Sequence, residues 1–480
     1  MKKVVFFCYR LIEFRNLLTS NLISECSRIM QVIIVVPKEN INICKKIVGK
    51  NVILEPLVGS AKFNQKKKLN FLEKIENILR NIFSLTFAKK RDVSKCISQD
   101  FMIKAYFNSQ KKRNPIKVLK AIIVIYIAKI LSYSFLLRRV FLFIISLFLK
   151  NNNHNILFKK YLPNLVITGS LGLDIDGKVI KEAKLNKIRT LTINQSWDRV
   201  VCKGYPIIFP DNLIVWNHQM KKDAKNFLDF PEEKVEVLGA PVWDYLFNKQ
   251  GLLSKNNFFK KINLDPKKST VYYPLSSAFW HEELINNLRV IKKSIITKKL
   301  PKSLQFIIRV HPYYWRDIKL RKSLFKELDN IRGLTNVHIN YNKIVGEKNS
   351  YFLKEDDNFF LKNCYHHSDL CLSVISSSMM ESIFCNTPAL NFIYGRWKLP
   401  GEELDIKDYK LHHLEHLYSY GLIKHVYSVE ELIKNLKQIK KLRFKGNESK
   451  KMLEGEVPLY RGFAAKKYAE YILRLCEIES

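Results

Sequence analysis

At 480 residues the chain exceeds what one hydrophobic core usually organises, and its 47% hydrophobic content with only 16 Gly and 15 Pro excludes a disordered or fibrous protein. The 82 Lys and Arg against 44 Asp and Glu give a formal net charge of +38, which favours polyanionic surroundings: nucleic acid, anionic lipid headgroups or phosphorylated substrates. Nine cysteines, odd in number and without a C-x-x-C pair, speak for a reducing compartment and against a zinc site or a disulfide framework.

The N-terminus, MKKVVFFCYRLIEFR, starts basic, but its apolar run stops at Arg10 after six residues and no small-residue cleavage site follows, so it reads as a first β-strand. Further apolar runs predict strands at Val32 to Val36, Val52 to Leu57, Leu165 to Thr168, Thr190 to Asn194, Leu213 to Trp216 and Val235 to Leu238. A basic, apolar stretch from about residue 60 to 160 interrupts this series as a helical insertion. Between Asp100 and Asp174 there is no acidic residue, while 12 Lys and Arg fall in the gap. Residues 118 to 150 are the one membrane candidate, yet a spanning helix would bring Lys129 near the bilayer centre, at about 2.5 to 3.5 kcal/mol. The second arm, Val140 to Leu149, is about half the length a span needs. Two readings stand: helices pressed on an anionic lipid surface with Lys and Arg stems snorkelling, or an ordinary buried helical hairpin.

Residues 248 to 268 are polar and read as a linker, after which the strand and helix alternation restarts. Strands are predicted at Val271 to Pro274, Gln305 to Val310, Val337 to Asn340, Leu370 to Ile375 and Ala389 to Ile393, with helices between them and a last helix at Tyr460 to Ile478. The expected fold class is α/β, with two Rossmann-like domains, 1–247 and 269–459, facing a cleft, a basic helical insertion in the first, and a C-terminal helix over 460–480.

Two segments carry chemistry. IIRVHPYYW (307–315) ends a buried strand in Arg309, His311 and Pro312, placing a cation and an imidazole at the sheet edge, which suits a diphosphate leaving group. In LCLSVISSSMMESIFCNTPALNF (370–392) a strand runs into Ser376, Ser377 and Ser378 and then a helix carrying Glu381, so hydroxyls and free N–H groups converge as in a phosphate cradle. The alternative there is a serine cap with Glu381 closing a capping box from Ser378. Asp174 and Asp176 form a D-x-D in LDIDGK, but they sit where acidic residues favour a helix start, so no metal is expected. No HExxH, P-loop, GxSxG or GxGxxG is present.

A strand-end His-Pro, a strand followed by SSS-x-x-E and a helix, then Asn386-Thr387-Pro388, resembles the donor domain of GT-B-fold glycosyltransferases. The nearer likeness is to the CDP-glycerol glycerophosphotransferase, Kdo-transferase and bacterial sialyltransferase groups with HP and SS motifs. Residues 190 to 246, from TLTINQSWD to VLGAPVWDYL, look like the end of the N-terminal domain in surface-polysaccharide (capsule or lipopolysaccharide) transferases. The resemblance implies a nucleotide-activated sugar or polyol phosphate bound in residues 269–459: Arg309 and His311 on the diphosphate, Ser376 to Ser378 on phosphate, and Glu381 on a ribose hydroxyl. It places Trp197 and Lys203 on the acceptor side, with Asp198 as the general base, against a turn-forming role for that residue; Asp174 or Asp176 is second choice. The expected activity is metal- and cofactor-independent transfer to a glycan or lipid-linked acceptor, by a cytoplasmic enzyme peripheral on the inner face of the cytoplasmic membrane. Rival readings are a nucleotide-sugar epimerase of the same fold, a nucleic-acid-binding protein, which lacks any recognisable binding module here, and a non-catalytic partner subunit.

Overall fold

The computed structural model describes residues 1–57, 78, 82, 115–149, 154–169, 171, 174–202, 205–277, 280–315, 317–342, 344–347, 350–353, 355–393, 396–399, 402–405 and 412–478. Seven short, almost wholly apolar strands form the first sheet: β1 (Lys3–Phe7), β2 (Gln31–Val36), β3 (Val52–Pro56), β4 (Leu165–Thr168), β5 (Arg189–Ile193), β6 (Asn212–Val215) and β7 (Val235–Val237). Their order is β3-β2-β1-β4-β5-β6-β7, all parallel, with Phe6 between Ile34 and Ile167 in register. The unbroken apolar runs of β1, β2 and β4 have this cause, since helices and loops cover both faces of such a sheet.

The second sheet repeats the plan. Its strands are β8 (Ser269–Pro274), β9 (Leu304–Arg309), β10 (Val337–Asn340), β13 (Leu370–Ser373), β14 (Ala389–Phe392) and β17 (Ile423–Val426), in the parallel order β10-β9-β8-β13-β14-β17. Two hairpins are inserted, β11 (Ile344–Glu347) with β12 (Ser350–Leu353) and β15 (Arg396–Leu399) with β16 (Glu402–Asp405). In each sheet the chain reverses direction of travel beside its first strand, between β1 and β4 and between β8 and β13, where the carboxyl ends of the strands leave a crevice.

The two units share a core. Trp216 and Trp243 pack with Tyr272, Tyr365, Met379, Met380 and Phe384 in one buried cluster. The polar segment after residue 247 is not a bare linker: Ser254 caps the helix Lys255–Lys261 by accepting from Asn257 N at 3.3 Å, and Phe258 and Phe259 are buried. Asn363 holds its start, donating to Gly251 O at 2.7 Å and accepting from Leu253 N at 2.9 Å.

The last helix, Ala464–Glu477, returns to the first domain, where Tyr468, Ile472 and Leu475 join Val4, Phe6, Val32 and Ile34 in one core. Asp244 secures its start: the carboxylate accepts from Ala464 N at 3.0 Å and Ala465 N at 2.9 Å, and Tyr468 donates to Gly239 O at 2.9 Å. Gly239 has φ +77°, and a Cβ there would meet Leu459 O at 2.6 Å, so no side chain fits. The G-x-P-x-x-D spacing at 239–244 is therefore a device for docking the terminal helix.

Of the insertion, the described part is a helical hairpin, Pro115–Tyr133 and Phe135–Phe148; the rest of 60–114 lies outside the described residues apart from 78 and 82. No helix among the described residues is long and apolar enough to cross a membrane. Arg138 does not snorkel. It is 4% exposed and clamps Asp229, Nε to Oδ2 at 2.7 Å and Nη2 to Oδ1 at 3.1 Å, while Nη1 donates to Leu131 O and Ser132 O. With a carboxylate and two carbonyls in reach, its guanidinium donors are met inside the protein and it need not extend to a lipid interface.

Asp244→Ala removes the acceptor of two buried N–H groups. We expect a loss of about 2 kcal/mol in stability. Hydrogen exchange should quicken over residues 464–477 before the rest of the molecule; uniform exchange across the chain would refute the docking role.

Candidate functional site

The residues of interest come from the strand ends at the two crevices. In the first domain β1 leads into Tyr9, Arg10 and a wound segment containing Glu13 and Arg15. Glu13 is fully buried and ties this exit together: Oε2 accepts from Tyr9 N at 2.8 Å and Arg10 N at 2.9 Å, and Oε1 from Arg10 Nη1 at 2.6 Å. Burial raises its pKa to about 7, against the pull of Arg10. Gly169, just past β4, leaves room for it, since a Cβ would fall 2.5 Å from Glu13 Cγ. Arg10 also pairs with Asp176 at 2.7 Å, so this half of the D-x-D is committed to holding the β1 exit, while Asp174 opens the helix Asp174–Leu185.

From the second domain, His311 follows β9. Its Nδ1 accepts from the Tyr313 backbone N–H at 3.1 Å, so in the neutral ring the proton resides on Nε2, which is a hydrogen-bond donor. Burial, with the charges of Arg15 and Arg309 adding to it, lowers the pKa from its ordinary 6.5 to about 4. The imidazole is thus neutral at physiological pH.

Arg309 is placed differently from the expectation of a cleft cation. It is 5% exposed and donates to Asp357 Oδ2 at 2.5 Å and Asn340 Oδ1 at 2.6 Å, with Phe360 beneath the guanidinium. As the last residue of β9 it points at the helix Glu355–His367 that covers one sheet face, not out of the strand end. The accessible guanidinium near His311 is Arg15, 41% exposed, reaching across from the first domain to within 3.9 Å of Glu381 Oε1. In the sequence Arg15 is marked only by its place, a basic residue in the segment directly after β1.

After β13 the chain turns sharply, with Ile375 at φ +37°, a conformation that a β-branched residue rarely adopts. Asn391 stabilises it by accepting from Ile375 N at 3.0 Å. Ser376, Ser377 and Ser378 follow, Ser376 Oγ accepting from Ser378 N and lying 3.3 Å from Ser378 Oγ. The helix Ser378–Phe384 starts at Ser377 without a side-chain cap, so the capping-box alternative is not formed. Glu381 instead accepts from Trp243 Nε1 at 3.1 Å and Tyr365 OH at 2.6 Å.

Trp197 and Asp198 follow β5. Trp197 packs edge-on against His413 of the helix His412–Tyr418, with centroids 4.7 Å apart, and both line an open recess between the domains with Met380, His416 and Glu456. Asp198 accepts from Ser196 Oγ at 2.5 Å, and Lys203 lies outside the described residues. A second, solvent-open cavity of about 550 Å³ is lined by Arg15, Thr19, Tyr245, Asn248 and Phe359. The structure thus gathers Arg15, His311 and Glu381 at one place and Trp197 with His413 at another.

Two parallel-sheet α/β domains with this strand order, closed by a terminal helix, define a GT-B-like fold. Among solved structures the chain is similar to UDP-GlcNAc 2-epimerase from Neisseria meningitidis bound to UDP-GlcNAc, at 15% identity and TM-score 0.53 over 99% of this chain and 100% of that one. It is similar also to the S. aureus MnaA–UDP co-structure (13%, TM-score 0.50, 100% and 99%) and to a glycosyltransferase from Rickettsia africae (11%, TM-score 0.50, 100% and 99%). No protein-family model and no curated protein matches the sequence.

A folded-state pKa of about 4 against the ordinary 6.5 means that the unfolded chain takes up this proton first as pH falls. The contribution of His311 is fully present above about 6.5 and is lost as pH falls toward about 4. In an NMR titration its ring resonances should not move between pH 8 and about 5.5, and Arg15→Ala should raise its pKa. A ring that titrates near 6.5 in the intact protein would refute the site as described.

Proposed function

We propose that the chain acts on a nucleotide-activated sugar or polyol phosphate and transfers the activated group to a glycan or lipid-linked acceptor at the inner face of the cytoplasmic membrane. The observation that carries this reading is a neutral Nε2–H donor, His311, within electrostatic reach of an exposed guanidinium, Arg15, which comes from the opposite domain and lies 3.9 Å from Glu381 Oε1. Breaking the bond between an anomeric carbon and a phosphate oxygen leaves the electron pair on the diphosphate, and donors already fixed there stabilise that charge without reorganising. The Ser376 to Ser378 turn, held by Asn391, supplies hydroxyls for the phosphates. The acceptor oxygen forms the new bond and loses its proton to a carboxylate, for which Asp198 is proposed, beside Trp197 on the acceptor side. Glu381 and Arg309 are assigned to holding these groups in place, because the polar atoms observed on them are engaged within the protein.

A second reading is epimerisation of the sugar within its nucleotide sugar. The likeness to an epimerase bound to UDP-GlcNAc supports it more directly than it supports transfer. It needs no acceptor, and this separates the two. UDP-sugars incubated with the full chain alone should remain unchanged by NMR if the protein is a transferase, with nucleotide released only when a membrane fraction containing acceptor is added. Conversion of the sugar without an acceptor would establish the epimerase instead.

Under either reading His311→Ala should lower turnover by roughly tens to a thousandfold, and His311→Asn, which keeps an N–H donor, by less. Unchanged turnover in His311→Ala would remove the phosphate role. Because Asp176 is held by Arg10, activity should also persist in excess chelator; a loss restored by manganese or magnesium would assign a metal to the D-x-D after all.

A further inference from the structure

We infer that the hairpin Pro115–Tyr133 and Phe135–Phe148 is a docking surface for an anionic lipid bilayer, fixed rigidly beside the acceptor-side loop. Each helix buries one stripe. Ala121, Val124, Ala128 and Leu131 face the protein on the first, and Leu142, Ile145 and Leu149 continue that role on and just after the second. What remains outward is apolar: of 28 exposed large hydrophobic side chains among the described residues, 14 lie between Ile116 and Leu147. They include Ile123 at 50%, Tyr126 at 64%, Leu136 at 70% and Phe143 at 66% exposure. A patch of this density is not left in water without an occupant.

Charge selects the occupant. The hairpin carries no acidic residue, Lys120 and Lys129 are exposed on it, and it lies inside the acid-free stretch 101–173 of a chain with net charge +38. A second copy of the same chain would bring like charge to the patch, whereas an anionic headgroup layer supplies the opposite charge and a hydrocarbon layer for the side chains. The attachment is stiff. Arg138 clamps the turn between the helices to Asp229, which Tyr205 also contacts, and Arg139 lies 4.5 Å over the Phe209 ring. Leu142, Ile145 and Leu149 pack in the core that contains Val200, Val201 and Tyr205, the segment directly after Trp197 and Asp198. A bilayer seated on the hairpin therefore lies next to the loop proposed to receive the acceptor. This deepens the acceptor reading but stands on exposure and charge, so vesicle binding and turnover fail independently.

The test is flotation of the full chain with phosphatidylglycerol vesicles, with phosphatidylcholine vesicles as the neutral control. We expect binding to the anionic vesicles, weakened but not abolished by high salt, and at least about tenfold weaker binding for the variant Ile123→Ser, Tyr126→Ser, Phe143→Ser, Leu147→Ser. These side chains are outside the core, and an unchanged melting temperature checks the variant's fold. Should it fail to fold, Phe143→Trp with brominated phosphatidylglycerol reports contact directly: quenching beyond that of the native tryptophans supports insertion. The inference is overturned by absence of vesicle binding in the native chain, by native-like binding of a folded quadruple variant, by no added quenching, or by a dimer that the variant abolishes while vesicles stay unbound.

Discussion

The carboxylate of Glu381, buried between Trp243 and Tyr365, sets the geometry on which the cleft depends. Its helix starts at the serine turn, Trp243 belongs to the segment joining the domains, and Arg15 approaches it from the first domain. One buried anion thus relates the serine turn, the interdomain segment and the first strand's exit. Removing such a carboxylate would leave an indole N–H and a phenol O–H without their partner in a dry core, a penalty of about 1 to 3 kcal/mol for each group.

A second anion repeats the arrangement on the other side. Glu456 accepts from Asn217 Nδ2 at 2.9 Å and pairs with His416 Nε2 at 2.9 Å, joining the cap residue of the helix His218–Leu228 to the second domain. Its contact raises the His416 pKa, chiefly through the hydrogen bond to Glu456. That pair, within the second domain, contributes its stability below the ordinary imidazole pKa and weakens as pH rises through the raised one, opposite in sign to His311.

The parallel strands were readable because most centre on a short apolar run bounded by polar or turn residues, and twelve predicted runs overlap observed strands. β17 was not, because Ile423–Val426 is an edge strand of sequence IKHV whose Lys424 is exposed. The helix Lys255–Lys261 hid for a related reason: two adjacent phenylalanines in seven residues give no helical period, and tertiary burial decides the matter. Side-chain direction was harder still. His311 and the serine turn could be located from a strand end alone, but Arg309, Arg138 and Glu381 each turned to a partner far along the chain, Asp357, Asp229 and Trp243. Charge pattern shows that a cation is present, not which carboxylate will meet it.

The return of the last helix to the first strand has a consequence for biosynthesis. Val4 and Phe6 share their core with Tyr468, Ile472 and Leu475, so the first domain is not complete until nearly the whole chain has left the ribosome. Its parallel sheet, already slow to pair, must meanwhile hold one open apolar face while the second domain, continuous from β8 to β17, emerges and folds. A premature stop before Ala464 therefore exposes the oldest part of the molecule rather than the newest.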